Sequence, residues 1–158
     1  MVMTGKATPG AEDALELVVV LAAPLGRVWD ELADLGSHSE WMRDAGSIEF
    51  VGGQTTGVGT RMRVPTRVGP FRTTDMMTVV EWEEGRSIAV EHPGAVSGLG
   101  RFEIRASGHG TELTWSETLR FPWWLGGRLG AFLARPILRQ VWRGNLERFR
   151  RRLAVSGP

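Results

Sequence analysis

The sequence predicts an α+β fold in which a curved antiparallel sheet of about seven strands wraps around one long C-terminal helix, kinked near Pro136, in the order β-α-α-β6-α. Three observations predict it. From Ser47 to Phe121 the chain reads as strand-like runs punctuated by glycine-rich turns, spaced closely enough to pair as antiparallel hairpins. From Leu125 to Leu153 apolar residues recur at helical spacing. Between the first strand and the remaining strands lie only short helical pieces, so the terminal helix alone is long enough to cover the face that the sheet must bury.

Residues 1–13 are small, polar and aperiodic, and a disordered tail is expected there, followed by one domain over residues 14–154. Leu15, Leu17, Val19 and Leu21 alternate with Glu16, Val18 and Val20 to give the first strand. Pro24 suits a helix start, where its missing N–H costs nothing, and Leu25, Val28, Trp29, Leu32 and Leu35 follow at helical spacing until Gly36. Ser37-His38-Ser39-Glu40 has the spacing of a capping box, which predicts a second short helix burying Trp41 or Met42. Six strands are then expected near 47–52, 58–67, 71–82, 86–92, 100–107 and 111–121. Turns fall at Gly52-Gly53, Gly69-Pro70, Glu84-Gly85, Pro93-Gly94 and Gly108–Gly110.

The final helix reads as two joined segments. Leu125, Leu129, Phe132 and Leu133 share one face, whereas Leu138, Val141, Trp142, Leu146, Phe149 and Leu153 form a stripe rotated around the axis. Pro136 sits at the change, and its missing N–H predicts the kink. Trp123 and Trp124 are adjacent and cannot face the same core. The choice is between one exposed ring at the mouth of a pocket or on a membrane, and both tucked between loop and helix.

Composition narrows the function classes. A chain of 158 residues, 42% hydrophobic, fits one core, and the absence of cysteine excludes disulfides, thiolate nucleophiles and Cys-zinc sites. The opening residues lack the apolar run of a signal peptide and no stretch reaches the roughly 20 apolar residues of a membrane span, so a cytoplasmic protein is expected. The net charge of +1 conceals an asymmetry, with nine acids against three bases in residues 1–50 and nine arginines against Glu147 alone from Arg120 onward. Arg135, Arg139, Arg143 and Arg150 lie near one another on the helical wheel. They form either a solvated face partly neutralised by the acidic N-terminal helices or a contact for anionic lipid, nucleic acid or an acidic partner.

The element order, the Ala23-Pro24…Val28-Trp29-Asp30…Leu35…Trp41 opening, the glycine-punctuated strands and the long last helix resemble the START-like polyketide cyclase/dehydrase and lipid-transport superfamily (SRPBCC), with its helix-grip fold. The resemblance spans roughly Leu15 to Leu153 and is architectural, since no residue of that pattern performs chemistry. It implies a mostly apolar pocket between sheet and terminal helix that holds a lipid, isoprenoid or polyketide-like molecule. The expected role is carriage or sensing. The alternative is a cofactor-free cyclase or dehydratase.

Strand alternation nominates the pocket residues. It places Leu113, Trp115, Glu117, Leu119 and Phe121 of the last strand on the inner face, and similar parity gives Ile88, Val90 and His92 on one strand, Phe102, Ile104 and Ala106 on the next, and Phe71, Thr73, Asp75, Met77 and Val79 on a third. Glu117 and His92 are the catalytic candidates, because an inward imidazole and carboxylate could polarise a ketone or remove an α-proton. An inward Glu117 also requires a cationic partner, water or a raised pKa, and a structural ion pair or a role in orienting the ligand meets that need without catalysis. The expected ligand contacts from the sheet are Asp75, Met77, Val90, Phe102, Ile104 and Trp115. Those from the helical region are Trp124, Leu129, Phe132, Leu133 and Ile137. The total absence of tyrosine counts against a cyclase that positions its substrate with phenols.

Other constellations fail. His38-x-Glu40 is too short for a metal set, His109 belongs to a Ser-Gly-His-Gly turn, and Gly57-Val58-Gly59 lacks the third glycine of a dinucleotide loop. No metal, cofactor or nucleic acid is therefore expected. The expected partner is a hydrophobic small molecule, with peripheral contact to an anionic membrane, and monomer or homodimer, left open.

Overall fold

The structure is a computed structural model and describes residues 14–155, so the tail expected over residues 1–13 lies outside the described residues. Strand β1 (Ala14–Leu21) buries Leu15, Leu17 and Leu21 on the face that alternation selected. Helix α1 (Leu25–Ala33) follows Pro24, which caps it from an extended conformation, and the Val28 N–H donates to the Pro24 carbonyl at 3.1 Å. The helix ends at Ala33 rather than at Gly36, and Leu35–Ser37 form a 3₁₀ turn leading into α2 (His38–Trp41). The expected capping box does not form. Ser37 is already in the right-handed helical region, so its hydroxyl turns back to the Asp34 carbonyl (2.8 Å), and Glu40 pairs with Arg152 instead.

Six further strands follow: β2 (Glu49–Phe50), β3 (Arg61–Val68), β4 (Phe71–Glu83), β5 (Ser87–His92), β6 (Ser97–Ser107) and β7 (Gly110–Arg120). They join β1 in one seven-stranded antiparallel sheet of order β1-β7-β6-β5-β4-β3-β2. One bulge interrupts the register between Val79 and Glu81, beyond the stretch of β4 that bears Phe71 to Val79. Ala106, expected on the inner face, is exposed because β6 is about to turn into β7 there.

A 3₁₀ turn (Trp123–Leu125) leads to α3 (Gly127–Val155), which runs unbroken through Pro136. Its second half packs on the sheet through Trp142, Leu146, Phe149 and Leu153. Their anchor is a chain of rings from α2 to the sheet, in which Trp41 lies 4.8 Å from Phe149 and 6.3 Å from Trp115, and Trp115 lies 5.3 Å from Trp142. Asn145, fully buried, adds polar ties: its carbonyl accepts from the Arg43 backbone N–H (3.1 Å) and its amide donates to Asp44. Part of the charge asymmetry closes here, since Arg152 bridges Glu31 of α1 and Glu40 of α2.

The first half of α3 departs from expectation. Leu129, Phe132, Leu133 and Ile137 are exposed, not turned to the sheet. At 3.6 residues per turn, Leu129 and Leu133 lie roughly half a turn around the axis from the Trp142–Phe149 stripe, so one straight helix cannot bury both. Trp123 and Trp124 are both exposed as well.

Candidate functional site

A cavity of about 340 Å³ lies between the inner face of the sheet and α3. That is at the lower end of the range of small-molecule sites, and its walls are predominantly apolar. Strands β3 and β4 contribute Met62, Val64, Phe71 and Met77, strands β5 to β7 contribute Val90, Phe102, Trp115 and Leu119, and α3 contributes Leu138 and Trp142. These positions share a face because side chains two apart on a strand point the same way.

Five titratable side chains interrupt the apolar wall, His38, Asp44, Asp75, His92 and Glu117, and three of them come together on the sheet: Asp75 on β4, His92 on β5 and Glu117 on β7. His92 Nε2 lies 3.3 Å from Glu117 Oε2, and the Trp115 indole N–H donates to Glu117 Oε1 at 3.2 Å. His92 Nδ1 faces the Val96 carbonyl at 3.3 Å. Both ring nitrogens thus meet acceptors, which only the imidazolium satisfies by donating twice. Burial opposes that charge, but the hydrogen bond and charge of Glu117, the Val96 carbonyl and the charge of Asp75 together hold the His92 pKa above its ordinary value. Asp75 in turn accepts a hydrogen bond from the Thr73 hydroxyl (3.0 Å).

The strand between them makes room for this cluster. Gly100 on β6 pairs with Glu117 on β7, and a Cβ at Gly100 would collide with Glu117 Oε1. Gly100→Ala should therefore push the carboxylate away and lower the His92 pKa, as read by NMR titration of its ring protons. An unchanged titration would show that the charge pair does not depend on this gap.

A second histidine has the opposite character. His38 lines the cavity, is buried against Trp41 and Phe102, and meets the Leu32 carbonyl at 2.8 Å through Nε2. Burial, only partly offset by that hydrogen bond, pushes its pKa down to about 4, so at neutral pH it is the neutral tautomer with the proton on Nε2.

Of the residues nominated from sequence, Asp75, Met77, Val90, His92, Phe102, Trp115 and Glu117 stand on the cavity wall. Ile104 is buried in the core and is not on that wall. Trp124, Leu133 and Ile137 lie outside on exposed surface, and Leu129 and Phe132 line only an adjoining cleft. The contacts from the helical region come instead from Leu125 in the 3₁₀ turn and from Leu138 and Trp142 of α3, both members of the stripe beyond Pro136. His38, Met42 and Ile48 also line the cavity without a periodic signal to announce them, because they sit in short helical and irregular segments. The adjoining cleft shares Glu117, Leu119, Phe121 and Leu138 with the cavity and adds Arg120, Arg128 and Arg135.

Among the described residues no group of three or more His, Cys, Asp or Glu is arranged to hold a metal ion, and no helix is long and apolar enough to cross a membrane.

Residues 13–154 match the family model described as polyketide cyclase/dehydrase and lipid transport. No curated protein sequence is significantly similar to the chain. Among solved structures, TTHA0849 from Thermus thermophilus is similar with a TM-score of 0.75 at 19% identity, covering 91% of this chain and 99% of the other. DR_A0006 from Deinococcus radiodurans gives a TM-score of 0.63 at 20% identity over 87% and 94% of the two chains. The di-domain ARO/CYC BexL, from the BE-7585A biosynthetic pathway, gives 0.71 at 19% identity, with 92% of this chain matching 50% of that one. Likeness at such identities speaks for the fold alone.

Proposed function

This chain belongs to the polyketide cyclase/dehydrase and lipid transport family, and on that premise we propose that it binds a hydrophobic small molecule in the cavity between sheet and α3, as a carrier or sensor. The observation that carries the reading is a predominantly apolar cavity wall into which the Asp75, His92 and Glu117 cluster is set. Burial of a lipid, isoprenoid or polyketide-like body against that wall supplies affinity, and the polar cluster orients a carbonyl, hydroxyl or carboxylate on it. Glu117, held by His92 on one oxygen and by the Trp115 indole N–H on the other, offers an acceptor of fixed direction, which suits orientation without turnover.

The test is titration with an environment-sensitive lipid probe, alongside native mass spectrometry of gently purified protein. Val90→Trp, which places an indole in the cavity, should weaken probe binding by roughly tenfold or more. If the wild type neither binds the probe nor carries a co-purified ligand, or if Val90→Trp binds as well as wild type, the reading fails.

The pairing of His92 with Glu117 inside an apolar cavity also favours a second reading, a cofactor-free cyclase or dehydratase in which His92, on releasing its 3.3 Å contact to the Val96 carbonyl, donates to a ketone and a carboxylate takes the α-proton. The likeness to the ARO/CYC di-domain BexL is consistent with it in fold only. Should a substrate be found, full turnover by Glu117→Gln would remove this assignment.

A further inference from the structure

We infer that the first half of α3, with the 3₁₀ turn before it, is a docking surface for an anionic lipid bilayer. Trp123, Trp124, Leu129, Phe132, Leu133 and Ile137 are each 56% to 88% exposed. Scattered exposed apolar residues are ordinary, but six large ones within fifteen positions are not. Leu129, Leu133 and Ile137 follow one another at i, i+4 and Phe132 flanks them, so they make one continuous face along the helix. The turn presents the two tryptophans beside it. Gly126 (φ 87°) and Gly127 (φ 53°) take left-handed conformations, and their N–H groups close onto the Trp123 and Pro122 carbonyls.

The charge pattern selects the occupant. Between Glu117 and Glu147 the chain holds five arginines (Arg120, Arg128, Arg135, Arg139 and Arg143) and no acid. A second copy docked through the same face would set this arginine-only segment against itself, since a two-fold interface is self-complementary. An anionic bilayer answers both halves of the pattern: tryptophan and leucine enter the headgroup boundary and arginines meet lipid charge. The face also adjoins the cavity, because the cleft lined by Leu129 and Phe132 shares Glu117, Leu119, Phe121 and Leu138 with it. Docking would bring that cleft to the bilayer. What is exchanged there rests on the ligand-binding reading; the docking itself does not.

Vesicle flotation tests it, using phosphatidylcholine with and without phosphatidylglycerol, with tryptophan emission followed in parallel. The full chain should float with the anionic vesicles at low ionic strength, shift its emission to the blue, and release as salt is raised. Trp123→Ser combined with Leu133→Ser alters two exposed side chains that line neither cavity nor cleft, and should weaken vesicle binding by roughly tenfold or more while leaving probe binding in solution intact. No association with anionic vesicles at low salt would overturn the inference, as would equal binding by the double variant. A concentration-dependent dimer in sedimentation that the double variant abolishes would assign the face to self-association and refute lipid docking. Because probe binding is read without vesicles, failure of the cavity reading and failure of the docking surface are separable results.

Discussion

Truncation of Trp41 to alanine is expected to cost about 3–5 kcal/mol of stability, measured by denaturant unfolding. Trp41 is 1% exposed and its ring meets His38, Phe102, Trp115 and Phe149, so it joins α2, the sheet and α3 at one point. Removing it opens a cavity among groups held by three different elements, which cannot collapse together to fill it. Trp41→Phe provides the control. The Trp41 indole N–H is buried with no acceptor, so phenylalanine removes an unsatisfied donor as well as some volume and should cost about 1 kcal/mol or less. Equal losses for the two variants would show that the indole N–H has a partner or that the ring's position is not filled by a smaller aromatic.

The second large effect is acid sensitivity centred on His38. Its folded pKa is about 4 against an ordinary 6.5, because burial disfavours the imidazolium. The unfolded chain therefore takes up a proton at this position before the folded one does. The associated stability is complete above pH 6.5 and is lost as pH falls towards 4, amounting to about 3 kcal/mol. His38→Gln retains an amide N–H that can reach the Leu32 carbonyl but cannot titrate. The difference between wild type and variant should shrink across that pH window, and parallel curves would remove His38 as the cause. His92 acts with the opposite sign. Its folded pKa is raised, so its contribution is complete below 6.5 and is lost as pH climbs through the raised value. Between them the two histidines favour a stability optimum near pH 6.5.

Both effects arise where cavity and core share walls. His38 and Trp41 belong to a single turn of α2, one lining the cavity and the other filling the core. Substitutions that retune the pocket from this side will therefore also change stability. The opposite wall is freer, since Val90, Met77 and Leu119 are only partly buried.

The inner face of the sheet was legible from residues alone, and with it the cluster of Asp75, His92 and Glu117. A strand turns its side chains by a rigid period of two, and no bulge intervenes between Phe71 and Val79, Ile88 and His92, or Leu113 and Leu119, so parity read anywhere along each stretch holds throughout. The element order and the arginine-rich terminal helix were equally plain, for periodicity and turn chemistry are local. Which side of that helix meets protein was not. Amphipathic spacing marks an apolar face but carries no information about whether another layer lies against it, and Leu129, Phe132, Leu133 and Ile137 came to face outward because the stripe that packs on the sheet begins beyond Pro136. The contributions of His38 and Gly100 were likewise settled only in three dimensions. One depends on a short turn folding over the sheet and the other on the space a neighbouring carboxylate occupies, and both are distances between segments far apart in the chain, which local pattern does not encode.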